Sequence, residues 1–185
     1  MFKEEILENS NRREIFTYVE SNPGVHLREL QRALSLPLGS AEYHVDYMVK
    51  RGVLVRERDG RYTRFYAKEL ESADKEVLST LRQRRLRQIL LFALPRKKVK
   101  YKTLLNAIKV PRSTLSLYLK QLVDHNILRR HKVGYETIYT VIDEDRVARL
   151  LVSYKSSFID KLVDRTLKTW LETKFRKEAA EEVHL

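Results

Sequence analysis

The spacing of apolar residues predicts three helices before residue 51. A helical stretch ends near Glu20, where Ser21-Asn22-Pro23-Gly24 interrupts it. A short extended piece at residues 25–27 leads into a short helix, and a tight turn at residues 36–39 precedes a longer third helix. The third helix carries one apolar stripe, formed by Ala41, Val45, Met48 and Val49. We therefore expect this helix to pack one side on a core and to expose the other.

The pattern becomes strand-like after residue 52. Two runs, residues 53–58 and 61–67, are rich in β-branched and aromatic side chains and flank Asp59-Gly60. Asp-Gly is a strong signal for a two-residue hairpin turn. We expect a hairpin directly after the third helix, which should end at Gly52 because glycine tolerates left-handed dihedral angles.

The same pattern recurs 74 residues later. Residues 13–67 align with residues 87–141 without a gap, and 11 of the 55 positions are identical, including Val25 with Val99 and Pro37 with Pro111. In the second copy Asn126 replaces Gly52, and the predicted strands are residues 127–132 and 135–141 around Val133-Gly134. Two consecutive copies of one small domain are the simplest explanation.

The order of elements is that of a winged helix-turn-helix: helix, short strand, helix, turn, helix and hairpin. Residues 36–54 and 113–122 resemble the recognition-helix region of ArsR/MarR-type regulators, and residues 10–175 are similar to archaeal predicted transcriptional regulators with two such domains. The resemblance implies a mainly α fold with small β-hairpin wings, made of two tandem winged helix-turn-helix domains plus C-terminal helices. It also implies DNA as the partner.

The repeat suggests a division of the chain into four parts. These are a first winged-helix domain at residues 1–70, a helical linker at 71–86, a second winged-helix domain at 87–142 and a C-terminal helical extension at 143–185. The linker helix begins near Ser72 and either continues to Leu94 or breaks near Gln83. The extension carries an apolar stripe that packs on its own domain or on a second chain. We assign that stripe to dimerisation: Ile159, Val163, Leu167, Trp170 and Leu171.

Charge and composition narrow the classes of function. The chain has a net charge of +12, and 15 basic residues against one acidic residue lie between Arg82 and Lys132. Such one-sided charge favours a polyanion, here double-stranded DNA. The chain has no cysteine and no apolar run long enough to span a membrane, and we expect no metal site and no cofactor. The expected location is the cytoplasm, in association with the nucleoid.

Candidate DNA-binding residues follow from the helical and strand periods. In this fold the third helix enters the major groove. Its outward positions in the second copy are Arg112, Ser113, Ser116, Leu117, Tyr118, Lys120 and Gln121. Of these, Arg112 suits guanine, Gln121 adenine and Leu117 a thymine methyl group. The backbone contacts expected from the second wing and the adjoining helix are Lys100, Lys102, Arg129, Arg130, His131 and Lys132. Further cations are expected to supply charge towards DNA. They surround the first hairpin (Arg56, Arg58, Arg61 and Arg64) or lie on the helix that opens the second copy (Arg82, Arg84, Arg85 and Arg87), and strand alternation should point only about half of the wing cations towards DNA.

The first copy is expected to contribute less to DNA binding. Two carboxylates, Glu42 and Asp46, occupy outward positions of its third helix. Its weaker candidate set is Gly39, Tyr43, His44, Arg58 and Arg61. The second strand of each predicted hairpin carries two tyrosines. We expect all four to pack in the core and across the strands rather than to stack on bases: Tyr62, Tyr66, Tyr135 and Tyr139.

The sequence therefore predicts a sequence-specific DNA-binding transcription regulator that is dimeric and acts without catalysis. The alternative is a non-catalytic tandem winged-helix scaffold, such as an assembly factor or a transcription-initiation subunit. An enzyme acting on nucleic acid would need a carboxylate cluster for metal ions, and the basic segment has almost no carboxylates. No residue pattern in the sequence indicates a small-molecule effector.

Overall fold

A computed structural model of the chain describes residues 3–60, 62–158, 163 and 166–174. The chain divides into two compact units, Met1–Ser79 and Thr80–Leu185, which we call unit 1 and unit 2 and describe separately. Within the described ranges, none of the helices combines the length and apolarity needed to cross a bilayer.

Unit 1 contains the predicted three helices and hairpin. Its elements are α1 (Lys3–Ile6), α2 (Ser10–Ser21), α3 (Leu27–Ala33), α4 (Leu38–Lys50), β1 (Leu54–Asp59) and β2 (Tyr62–Ala67), followed by α5 (Ser72–Arg82), which contains the boundary with unit 2. The core is built from α2, α3, α4 and the hairpin, with Ile15, Leu30 and Val45 fully buried.

Unit 2 repeats this order and extends it. Its elements are α6 (Arg84–Ala93), β3 (Val99–Lys100), α7 (Tyr101–Ile108), α8 (Arg112–Asp124), β4 (Leu128–Val133), β5 (Glu136–Val141), α9 (Glu144–Ser153) and a 3₁₀ turn (Lys155–Ser157), and residues 166–174 are helical. The strands form a three-stranded sheet in the order β3-β5-β4. The mainly α fold with a hairpin after each helical unit is as predicted.

The third helices, α4 and α8, are held by their apolar stripes. Ala41, Val45 and Met48 of α4 are fully buried, and Val49 is half-buried. The equivalent side chains of α8 are buried in the same way: Leu115, Leu119 and Leu122. Each helix follows a proline, Pro37 or Pro111, that makes no side-chain capping bond. The stripes therefore fix which side chains of each helix face outward.

A left-handed residue ends each third helix. Gly52 has φ +69° and Asn126 has φ +53°. After Gly52, the Val53 N–H donates to the Met48 carbonyl at 2.9 Å, and after Asn126 the Ile127 N–H donates to the Leu122 carbonyl at 3.0 Å. These bonds are those of a Schellman motif.

The wings begin one residue later than the sequence predicts. The N–H groups of Val53 and Ile127 are used by the helix caps, so strand pairing starts with Leu54 opposite Ala67 and with Leu128 opposite Val141. The second turn is shifted too, because Val133 pairs with Glu136 and leaves Gly134-Tyr135 at the tip.

The linker helix is interrupted at Gln83, which is one of the two possibilities given by the sequence. Gln83 has an extended backbone, with ψ +109°, between α5 and α6. Beside the break, the buried Arg87 guanidinium donates to the Leu81 carbonyl at 2.6 Å and lies 5.8 Å from the Phe158 ring. Arg87 thus satisfies a carbonyl of the interrupted helix and is not available to a phosphate, contrary to the expectation from sequence.

The C-terminal extension packs on its own unit. Asp143 caps α9 by accepting from the Arg146 N–H at 2.9 Å. Val163 and Leu167 are only 1% and 8% exposed within the single chain, whereas Leu171 is 42% exposed. Trp170 is half-buried, and Lys174 lies 5.2 Å from its ring. Ile159, also assigned to the dimerisation stripe, lies outside the described residues.

The left-handed cap of α8 generates a stability prediction. An alanine at position 126 would have to adopt a dihedral region that costs an L-residue roughly 1–2 kcal/mol. We expect Asn126→Ala to lower the free energy of unfolding by about 1 kcal/mol and Asn126→Gly to leave it unchanged or raise it. Chemical denaturation measures both. The control is Asn106→Ala on the exposed face of α7, where alanine favours the helix; an equal loss there would contradict the cap argument.

Candidate nucleic-acid interface

In unit 2, the third helix and the wing enclose a cleft of about 640 Å³. The polar side chains that line it come from α7, α8 and both wing strands: Tyr101, Ser116, Lys120, Asp124, Arg130, Thr137 and Tyr139. We call this group the unit 2 cleft. It brings together residues that the sequence analysis assigned separately to the recognition helix and to the wing.

The outward side of α8 is exposed as predicted. Arg112, Ser113, Ser116 and Lys120 are exposed, and Leu117 is the most exposed apolar residue of the helix. The other two candidates, Tyr118 and Gln121, are half-buried on the flanks.

The start of α8 is tied to α7 by one phenol. The Tyr101 hydroxyl donates to the Arg112 carbonyl at 3.0 Å and lies 3.1 Å from the Ser116 hydroxyl. Sequence analysis did not identify Tyr101. The available signal was the 74-residue repeat, in which Tyr101 takes the place of the apolar Leu27 and adds a hydroxyl group.

The second wing presents its cations on both faces. Every residue of β4 after Leu128 is exposed. By strand alternation, Lys132 shares the face of Arg130, which lines the unit 2 cleft, whereas Arg129 and His131 lie on the opposite face. His131 Nε2 lies 3.2 Å from the Thr140 hydroxyl on that opposite face.

Three ionisable groups in or next to the unit 2 cleft interact with charged neighbours. Lys120 Nζ pairs with Asp124 at 2.5 Å, and Lys100 Nζ pairs with Glu136 at 2.8 Å. Both pairs are exposed, so each contributes about 1 kcal/mol or less and yields readily to a phosphate. Burial raises the pKa of Tyr139, against the opposing charge of Arg130, and its phenol is neutral at physiological pH.

The equivalent cleft of unit 1 has different chemistry. It encloses about 540 Å³, and its lining includes Leu38, Glu42, Asp46, Arg56 and Tyr62. We call this group the unit 1 cleft. The Arg56 guanidinium donates to the Asp46 carboxylate, whereas the equivalent Arg130 of unit 2 faces Lys120 at that position.

The weaker candidates of unit 1 that lie in the described part of the chain differ in exposure. Gly39, Tyr43 and Arg58 are exposed, and Arg61 lies outside the described residues. His44 is half-buried against α2, where its Nε2 lies 3.3 Å from the Asn11 amide nitrogen. Burial, and then the charge of Arg12, lowers the pKa of His44. His44 therefore belongs to the contact between α2 and α4 rather than to the outward face.

Arg64, one of the cations around the first hairpin, makes its contacts within the fold. Its buried guanidinium donates to Asp59 at 2.6 Å and to the Gly24 carbonyl at 2.9 Å, because the planar fork can serve both acceptors at once. Two of the four wing tyrosines, Tyr66 and Tyr139, are buried as expected. The other two are exposed, contrary to expectation: Tyr62 and Tyr135.

Family models match both halves of the chain. Residues 9–78 match the HVO_0163-type N-terminal HTH domain, and residues 75–143 match the C-terminal domain of the SoFic-like protein adenylyltransferases. The chain carries two tandem winged helix-turn-helix domains. The two matches meet in α5, so each winged domain corresponds to one of the two units.

Part of the chain has an archaeal relative. The chain is 32% identical over 76 residues to an uncharacterized HTH-type transcriptional regulator of Methanocaldococcus jannaschii, a match that covers 41% of this chain and 19% of the relative. Among solved structures, a hypothetical protein of Pyrobaculum spherical virus aligns with 75% of this chain and 97% of its own length, at 16% identity and a TM-score of 0.37.

The environment of His44 predicts pH-dependent stability. Its pKa is lowered in the folded state, so the unfolded chain binds the proton more readily. The contribution of His44 to the free energy of unfolding should be fully present above pH 6.5, the ordinary pKa of histidine. It should be lost as the pH falls through the lowered pKa of His44 in the folded state. We expect His44→Gln to flatten this part of the profile of unfolding free energy between pH 7.5 and 5.5. His131→Gln on the exposed wing is the control and should retain the parent profile; an unflattened profile for His44→Gln would refute the assignment.

Proposed function

We propose that the protein is a sequence-specific DNA-binding transcription regulator in which unit 2 makes the main DNA contact. The observation that carries this proposal is the unit 2 cleft, where an exposed third helix faces a wing with cations on both faces. In described residues 127–135, which contain β4 and the turn after it, no carboxylate accompanies Arg129, Arg130 and Lys132. The archaeal relative named as an HTH-type transcriptional regulator supports the same function.

The contacts divide into two kinds. Lys102, Arg129, Arg130 and Lys132 bind phosphates and set the position of α8 on the duplex. Lys100, His131, Ser113 and Ser116 add polar contacts at the edges of the groove. These residues make no distinction between bases.

Base reading falls to the outward side of α8. Arg112 donates to guanine, Gln121 pairs with adenine, and Leu117 contacts a thymine methyl group. Tyr118 lies on the flank of the helix, and Lys120 leaves Asp124 to reach the duplex. The Tyr101 hydroxyl donates to the Arg112 carbonyl and so fixes the first turn of α8, which keeps its position when the helix enters the groove.

The protein acts by binding in the cytoplasm, without a cofactor and without catalysis. The matched SoFic-like domain is the C-terminal domain of an adenylyltransferase family, and its match spans one winged unit and not a whole enzyme. The proposed resemblance to ArsR-type regulators concerns the winged domains and does not extend to any other part of those proteins.

Salt dependence tests the electrostatic part of the proposal. If unit 2 places six or more cations on phosphates, the affinity for duplex DNA should fall by roughly 10³–10⁵ between 50 and 200 mM salt. Fluorescence anisotropy on genomic fragments and on random duplexes measures this slope. Arg130→Gln should reduce the slope by about one unit. Arg32→Gln, which removes an exposed charge from α3 of unit 1, should leave it unchanged. A slope near zero for the parent chain would refute DNA binding.

The protein also forms a homodimer, in our proposal, through the exposed part of its C-terminal extension. Val163 and Leu167 are covered by their own chain, so the surface left for a second chain includes Leu171 and the exposed Val152 of α9. We expect a dimer at micromolar concentration in sedimentation experiments and a folded monomer for Leu171→Lys. A parent chain that sediments as a monomer would contradict the proposal.

A further inference from the structure

The two clefts share a backbone plan but differ at equivalent positions. Counting 74 residues forward from unit 1, Leu38 becomes Arg112, Glu42 becomes Ser116, Asp46 becomes Lys120 and Tyr62 becomes Glu136. The first three changes replace an apolar or acidic side chain of α4 with a basic or polar one of α8. The same fold therefore presents two chemically different faces.

The face of unit 1 is rich in exposed apolar side chains. Leu38 is 41% exposed, Tyr43 66% and Tyr62 50%. Leu38 and Tyr62 line the unit 1 cleft, and its floor is formed by Val45 and Phe65. Tyr43 does not line the cleft. A single exposed apolar residue needs no explanation, whereas two that line the same cleft, Leu38 and Tyr62, indicate an interaction surface.

The charges of the unit 1 cleft do not favour phosphate. Asp46 already neutralises Arg56, which is equivalent to the wing cation Arg130 of unit 2. Glu42 is exposed on α4 and makes no ion pair in the described part of the chain. One further cation, Arg28 of α3, lines the opposite side. The Glu42 carboxylate therefore stands next to the apolar pair Leu38 and Tyr62.

We infer that the unit 1 cleft is a docking site for a protein segment that inserts an apolar side chain and places a lysine or arginine on Glu42. Leu38 and Tyr62 contact the apolar side chain, and Glu42 binds the neighbouring cation. This inference rests on the proposed function, because it leaves DNA to unit 2 and makes unit 1 the contact with another protein.

Protein fits this surface better than DNA does. A duplex would bring phosphates towards Glu42 and Asp46, and like charges at short distance oppose association. A basic protein segment meets no such repulsion. It buries apolar area in the cleft and pairs its cation with a carboxylate at the rim. Interfaces of this kind concentrate their binding energy in a few central side chains.

The test uses the full-length chain and a phage-displayed library of random short peptides. We expect enrichment of peptides that carry an aromatic or aliphatic residue beside lysine or arginine. Synthetic copies are then measured by fluorescence anisotropy. Leu38→Ser and Glu42→Lys should each weaken their binding by about tenfold or more. A peptide with glutamate in place of its basic residue should regain binding to Glu42→Lys.

The matched control is Arg112→Ser, which puts serine at the position equivalent to Leu38. It should leave peptide binding unchanged and weaken DNA binding, whereas Leu38→Ser should leave DNA binding unchanged. Enriched peptides that bind Leu38→Ser as well as the parent chain would overturn the docking site. So would a tenfold loss of DNA affinity in Leu38→Ser, which would make the cleft a DNA site. Failure of Arg112→Ser to affect DNA would instead count against the proposed function of unit 2.

Discussion

The geometry of both clefts depends on one backbone constraint, the left-handed residue that ends each third helix. Gly52 and Asn126 reverse the chain within two residues, and the following N–H bonds back to the helix at Met48 or Leu122. The wing strand therefore starts beside the last turn of the helix and runs along its outward side. Without that reversal, Arg130 would not lie across from α8, and the cations of wing and helix would not share one surface.

The fold could be predicted from the sequence because its signals are local and occur twice. The stripe of Ala41, Val45 and Met48, the glycine after the helix and the Asp-Gly turn each report on a few neighbouring residues. Because the repeat has no gaps, each signal in the first copy can be compared with the equivalent position of the second copy. The errors of one residue at the strand starts have the same cause in both copies, since the cap of the helix takes the N–H that pairing would have used.

The site could be predicted only in part, because the sequence does not distinguish an arginine that binds groups within the fold from one that is free to bind phosphate. Arg64 and Arg87 bind carbonyls and a carboxylate that are distant in the chain or hidden by the helix break, and no periodicity reports this. The pair of Asp46 and Arg56 likewise depends on the fold, which brings a helix and a strand together. The outward face of α8 was predictable, since burial of one side of a helix fixes the other.

The turn between the second and third helices also has a left-handed residue in each copy, Ser35 in unit 1 and Lys109 in unit 2, both with φ +53°. Glycine would adopt this conformation at lower energy, by roughly 1–2 kcal/mol. Lys109 is exposed and adds a positive charge next to the start of α8. Lysine at this position therefore costs stability relative to glycine and places a positive charge next to the third helix of unit 2. A more heat-resistant version of this protein is therefore easy to design, and it would give up a charge where DNA is expected to approach.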